Sequence, residues 1–176
     1  MSATILKFPP SAPVSGVSFN DAPDISFAEV NLIFWGKGWS ATPAPSPSAH
    51  TIASGVRSIV NSGYLSRLKQ YGVTGQPQVV ATDVADETNP SPSDFVLKLE
   101  SFIKGRIAAG KVRAPTADRQ SFYGVFFLPG VKSLENTHAA GAHQTFVHNG
   151  FTCAKAWLLN DGQLTTRFSP IHIFSH

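Results

Sequence analysis

Histidine is the reactive side chain that this sequence concentrates. Five of the six histidines fall at or after position 138: His138, His143, His148, His172 and His176. Imidazole is the commonest protein metal ligand and the natural general base near neutral pH. His172 and His176 stand four residues apart. A helix would point both the same way, which is what two ligands of one zinc ion need. An extended chain would also place them on one side. The competing reading of this pair is a solvated chain end. His143 and His148 are an odd number of residues apart, so one regular strand would turn them to opposite faces. His143 follows Gly141-Ala142 at the entrance to a strand and is the best site candidate. Its alternative is a half-buried histidine bonded to backbone. His138, among alanines and a glycine, reads as a surface loop residue. The candidate metal is zinc, and the candidate ligands are His143, His172 and His176.

Three other groups bear chemistry. Trp35 and Trp39, with Gly36 and Gly38 between them, have the spacing of an aromatic platform for a sugar or another flat ligand. The same pair also suits a strand end anchored in the core. Asp83, Asp86 and Glu87 form a small acidic group at the end of an expected strand, where ligands of α/β sheets tend to bind. With His143 they define a further enzymatic reading, set against ordinary solvated carboxylates. Cys153 is the single cysteine, so no disulfide can form within the chain. Its apolar surroundings, FTCAKAWLL, suit a small buried hydrophobe. No G-x-S-x-G elbow, P-loop, G-x-G-x-x-G fingerprint or C-x-x-C pair occurs, which removes the usual serine hydrolase, nucleotide-binding and redox readings.

The elements that must position these residues follow from periodicity. Residues 26–35, SFAEVNLIFW, form a near-continuous apolar run, as expected of a strand buried on both faces at the centre of a sheet. A loop rich in Gly, Pro and Ser leads to Ser48, a helix N-cap. Ile52, Val56, Ile59 and Val60 then trace one helical face, with Gly63 as its stop. Tyr64, Leu68 and Tyr71 repeat that spacing in a short second helix. Residues 77–85 form the next strand. Ser93 caps a helix whose buried face carries Val96, Leu99, Ile103 and Ile107, with Gly110 just beyond. Residues 121–130 form a third strand ended by Pro129-Gly130. Two further runs meet at Asn149-Gly150, a strong hairpin signal. The expected fold is α/β, a mixed, mainly parallel sheet with flanking helices and a C-terminal β-hairpin. Residues 25–176 make one domain. Residues 1–24, with Pro9, Pro10, Pro13 and Pro23, read as an extended arm.

Composition bounds the function. The chain has 176 residues, enough for one well-formed core. Only 14% are charged, which excludes a polyelectrolyte or disordered chain. Net charge is +3 and the basic residues are scattered. The one cluster, Lys104, Arg106, Lys111 and Arg113, sits at a helix end, where cations complement the dipole. No basic stripe with interleaved aromatics is present, so nucleic acid is not expected as a partner. No apolar run is long enough to span a membrane. The N-terminus lacks a signal-peptide core, so the expected location is cytoplasmic.

The segments VNLIFWGKGW, SGYLSRLKQYGV, YGVFFLPGV, GAHQTF and AKAWLLND occur in that order. They resemble a group of microbial proteins with a V-x-L-I-F-W-G opening strand and a G-x-H-x-x-F strand. The closing motif of that group, F-S-H-E-L-x-E-A, reads like the start of a zincin helix. The first two elements and the third strand also resemble the plant exordium (phosphate-induced) family. The resemblance covers roughly residues 28–176. It implies a zinc-peptidase-like domain acting on peptide or protein, with His143 and Phe174-Ser175-His176 matching the two histidine motifs. The sequence departs from the pattern at its end. The glutamate that follows the histidine, general base of an H-E-x-x-H site, is not in it. If His172 and His176 are taken as the pair, Ile173 occupies the glutamate position. The expectation is a zincin-like domain, catalytically incomplete as written. The alternative is a non-enzymatic binding or interaction module, with carbohydrate among its ligands.

Overall fold

The computed structural model describes residues 28–62, 75–88, 90, 95–131 and 141–160. The expected arm, the short helix over Tyr64 to Tyr71, the Ser93 cap, His138 and the tail with His172 and His176 lie outside the described residues.

The described residues form five strands and two helices: β1 (Ala28–Trp35), α1 (Ala49–Asn61), β2 (Gln78–Ala85), α2 (Phe95–Ala108), β3 (Gln120–Pro129), β4 (Gly141–His148) and β5 (Phe151–Asn160). They make one sheet in the order β2-β1-β3-β5-β4. β1 runs parallel to both β2 and β3, and β3 runs parallel to β5. Only β4 is antiparallel, against β5. This is the expected mixed, mainly parallel sheet with a C-terminal hairpin.

β1 is central among the first three strands, which explains its unbroken apolar run. Its side chains alternate between two cores. Val30, Leu32 and Phe34 pack with Ile52, Ala53, Val56 and Val60 of α1. Ile33 and Trp35 pack with Leu99, Phe102, Ile103 and Ile107 of α2. The helices therefore cover opposite faces. Fully burying a side chain such as Ile52 or Ile103 contributes about 1.5–3 kcal/mol. This periodic apolar stripe, more than local propensity, holds each helix in place.

Local signals act largely as expected. Ser48 caps α1, its Oγ accepting from the Thr51 N–H at 3.2 Å. α1 ends at Asn61, with the Ser62 N–H donating to the Ile59 carbonyl at 3.1 Å, one turn's edge before the expected Gly63. Gly110, at φ +65°, follows α2 as a left-handed stop. Asn149 and Gly150 have φ of 50° and 82°, the conformation of a two-residue hairpin turn. Phe102 joins the α2 core although the simplest helical stripe omits it; its ring stacks on Trp35.

At the N-terminal end of the sheet, polar groups replace apolar ones. Glu29 is only 1% exposed and accepts from Arg113 at 2.8 Å and Arg119 at 2.5 Å. Buried Asn31 accepts from the Arg113 backbone N–H at 3.0 Å. The Tyr123 hydroxyl donates to the Arg113 carbonyl at 2.7 Å. These bonds tie the chain after α2 to β1. Arg113, which the sequence places in a helix-end cluster, thus serves the sheet.

Candidate functional site

The chain leaves β1 through α1 to β2 on one side, then returns through α2 to β3 on the other. The strand order therefore reverses between β1 and β3. In open α/β sheets such a switch point opens a crevice at the carboxyl ends of the strands, where ligands bind. Here β1 ends at Trp35 and β3 at Pro129. The segments that follow both strands wall a cleft of about 660 Å³.

The loop after β1 turns sharply at Gly36, whose φ of 126° favours glycine. The Gly36 N–H donates to the Ala85 carbonyl at 2.9 Å, and the Lys37 N–H to the Glu87 carbonyl at 3.0 Å. These bonds fix the loop to the end of β2. A 3-10 turn, Lys37–Ser40, then drops Trp39 into the α1-side core. Gly38 faces Leu128: a Cβ at position 38 would lie 2.8 Å from Leu128 Cδ1. Only a residue without a side chain leaves Leu128 where it stands.

Among the described residues, one wall of the cleft carries Gly38, Pro43, Pro45 and Ser46. The other carries Leu128, Pro129, Gly130 and Val131. The Val131 N–H donates to the Leu128 carbonyl at 3.3 Å, folding that wall back on the strand end. The surface is mainly apolar. Among the described residues Ser46 supplies the one side-chain hydroxyl of this lining, and none of them brings a carboxylate, imidazole, amine or thiol. Such a lining offers an apolar guest contact area and a few polar points, but among the described residues gives no acid–base pair to move a proton.

The residues singled out from the sequence stand elsewhere. His143 is exposed on the edge strand β4, its backbone paired with Ala156. His148 lies on the same regular strand and faces the opposite side, as its odd spacing requires. Among the described residues no three His, Cys, Asp or Glu side chains group closely enough to hold a metal. The two other candidate zinc ligands, His172 and His176, lie outside the described residues.

Trp35 and Trp39 are 6% and 5% exposed. Trp35 stacks on Phe102 with ring centroids 3.8 Å apart, and Trp39 meets Phe34 edge-on at 5.1 Å. Neither ring face is open to solvent, so the pair anchors the end of β1 in both cores. Their indole N–H groups find no acceptor among the described residues.

The joint reading of Asp83 with His143 is corrected by topology. β2 and β4 are the two edges of the sheet, four strand spacings or about 19 Å apart. The residues also face opposite sides: Asp83 turns to α2, while His143 is in register with Ala156 on the α1 side. Asp83 is engaged instead by Arg106 of α2, which donates from Nε at 2.6 Å and Nη2 at 2.9 Å. These bonds to Asp83, with a further one to Glu87, hold the guanidinium above its ordinary pKa. Cys153 is buried, and burial pushes its thiol pKa up, away from the reactive thiolate.

The cleft was not visible in the sequence because its walls come from two loops far apart in the chain. The Gly36-x-Gly38 turn and the Pro129-Gly130 stop were the available signals. Their meeting depends on β3 pairing with β1 on the side away from β2. Among the described residues no helix is long and apolar enough to cross a membrane. No protein family matches the chain, and no curated protein matches it.

Proposed function

We propose that this chain is a non-enzymatic binding domain that receives an apolar group of a partner in the switch-point cleft. The observation that carries this reading is the lining itself: among the described residues it consists of prolines, glycines, Leu128 and Val131 with one hydroxyl, and none of these side chains can act as acid, base or metal ligand. The position at the carboxyl ends of β1 and β3 supports it, because the fold class uses that crevice for ligands. The peptidase reading depends instead on His143 joining two tail histidines, and the described cleft residues supply none of its chemistry.

The partner group is an aliphatic or aromatic side chain, or a small molecule of that character. Gly38 and Gly130 present backbone close to the guest, and Ser46 offers one orienting hydrogen bond. Small apolar probes, indole and cyclohexanol, test this by saturation-transfer NMR. Ser46→Trp fills the mouth of the cleft and is expected to abolish the probe signal. Leu97→Trp, on the solvent side of α2, is expected to leave it unchanged. Equal probe binding by Ser46→Trp and the parent protein refutes the reading.

A further inference from the structure

Among the described residues β4 is the last strand of the sheet, and hairpin geometry fixes which of its backbone groups are already used. The two-residue turn Asn149-Gly150 makes His148 and Phe151 the closing, hydrogen-bonded pair. Antiparallel ladders alternate hydrogen-bonded and non-hydrogen-bonded pairs. Ala142, Gln144, Phe146 and His148 therefore direct their backbone N–H and C=O groups to β5. Gly141, His143, Thr145 and Val147 direct theirs outward. Among the described residues nothing pairs with that edge.

Edge strands normally carry a device that blocks pairing, such as a lysine, a proline, a bulge or an inward charge. The other edge, β2, has such devices: its register with β1 shifts at Val80, and Asp83 lies within it. β4 has none. It contains no Lys, Arg, Asp, Glu or Pro, its register with β5 is unbroken, and Val147 is 58% exposed.

We propose that β4 is a homodimer interface, in which a second copy adds its own β4 antiparallel across a two-fold axis. The occupant is a second copy because the strand is self-complementary. A two-fold normal to the sheet keeps each face on its own side, so opposed residues must share a face. A register centred on Gln144 meets this condition. It sets His143 against Thr145 of the second copy, and Gly141 against Val147. All four outward-facing residues are then paired, giving about eight backbone hydrogen bonds. Val147 meets a glycine, Ala142 meets Phe146, and no like charges are opposed. Two five-stranded sheets become one continuous sheet.

Light scattering on the full chain reads the mass, and cysteine variants read the register. The parent protein is expected at twice the chain mass. In a non-hydrogen-bonded antiparallel pair the Cα atoms are about 4.5 Å apart, within the span of a disulfide. Gln144→Cys is therefore expected to form a cross-linked dimer on mild oxidation. Thr145→Cys places the two thiols on a diagonal of about 7–8 Å and is expected to cross-link poorly. Buried Cys153 takes no part. Thr145→Pro removes an outward N–H and leaves the β4–β5 ladder whole, so it is expected to give a monomer with an unchanged circular dichroism spectrum. Val147→Lys places a charge on the edge and is expected to shift the mass to monomer by a second route. A monomeric parent protein at high micromolar concentration overturns the proposal. So does cross-linking of Thr145→Cys in preference to Gln144→Cys, or a dimer that survives both Thr145→Pro and Val147→Lys.

Discussion

Arg106 and Asp83 form a two-bonded ion pair that fastens α2 to β2, with Nε 2.6 Å from Oδ2 and Nη2 2.9 Å from Oδ1. The third guanidinium nitrogen reaches Glu87 at 2.9 Å, just past the end of β2. Both side chains of the pair are largely buried, so the planar fork of arginine matters as much as its charge. Arg106→Ala leaves a buried carboxylate without its counter-ion and is expected to cost about 3 kcal/mol. Chemical denaturation checks this. Adding Asp83→Asn to Arg106→Ala should recover part of the loss, because it removes the stranded charge.

Phe126 is fully buried on the α1 side and stacks on Phe34 with centroids 5.1 Å apart. Phe126→Ala is expected to destabilise the domain by about 3–5 kcal/mol, through lost transfer energy and the cavity left behind. The denaturation midpoint should fall with an unchanged slope. An unchanged midpoint would place the ring outside the core.

Tyr123 predicts a pH dependence. Burial pushes its phenol up to about 12 from the ordinary 10.0. The unfolded chain therefore loses this proton first. The contribution is fully present below pH 10, the unfolded value, and is lost as pH rises toward 12. The slope is about 1.4 kcal/mol per pH unit in that window. Stability measured from pH 9 to 11 should fall more steeply for the parent protein than for Tyr123→Phe. Parallel curves for the two proteins would show that the phenol titrates normally.

How much of this was legible in the sequence depended on the range of the interaction. β1, α1 and the hairpin could be read because their signals are local: the run from Val30 to Trp35, the stripe Ile52-Val56-Val60, and the Asn149-Gly150 turn. The buried face of α2 could be read for the same reason. Glu29 could not be recognised as a buried residue, because its partners Arg113 and Arg119 lie more than eighty residues away. The acidic group at Asp83 looked available for chemistry until Arg106 was placed against it. Trp35 and Trp39 carried two readings that spacing alone could not separate, and burial against Phe102 and Phe34 separates them. The cleft required the strand order, which no local pattern encodes.

Metal content separates the binding reading from the zincin-like one. The binding reading expects the purified chain to hold well under one equivalent of zinc, with content unaffected by His143→Ala. The assay is elemental analysis before and after dialysis against chelator. One equivalent of zinc, lost in His143→Ala, would instead support a site joining His143 to the tail histidines.

The central claim is that the switch-point cleft binds an apolar group. The most direct measurement is a titration of the isotope-labelled chain with indole, following backbone amide shifts. The account predicts saturable shifts that are largest at Gly38, Ser46, Leu128, Gly130 and Val131, the lining positions that carry an amide proton. Shifts centred on another surface, or no saturable shift at these five positions, would contradict it.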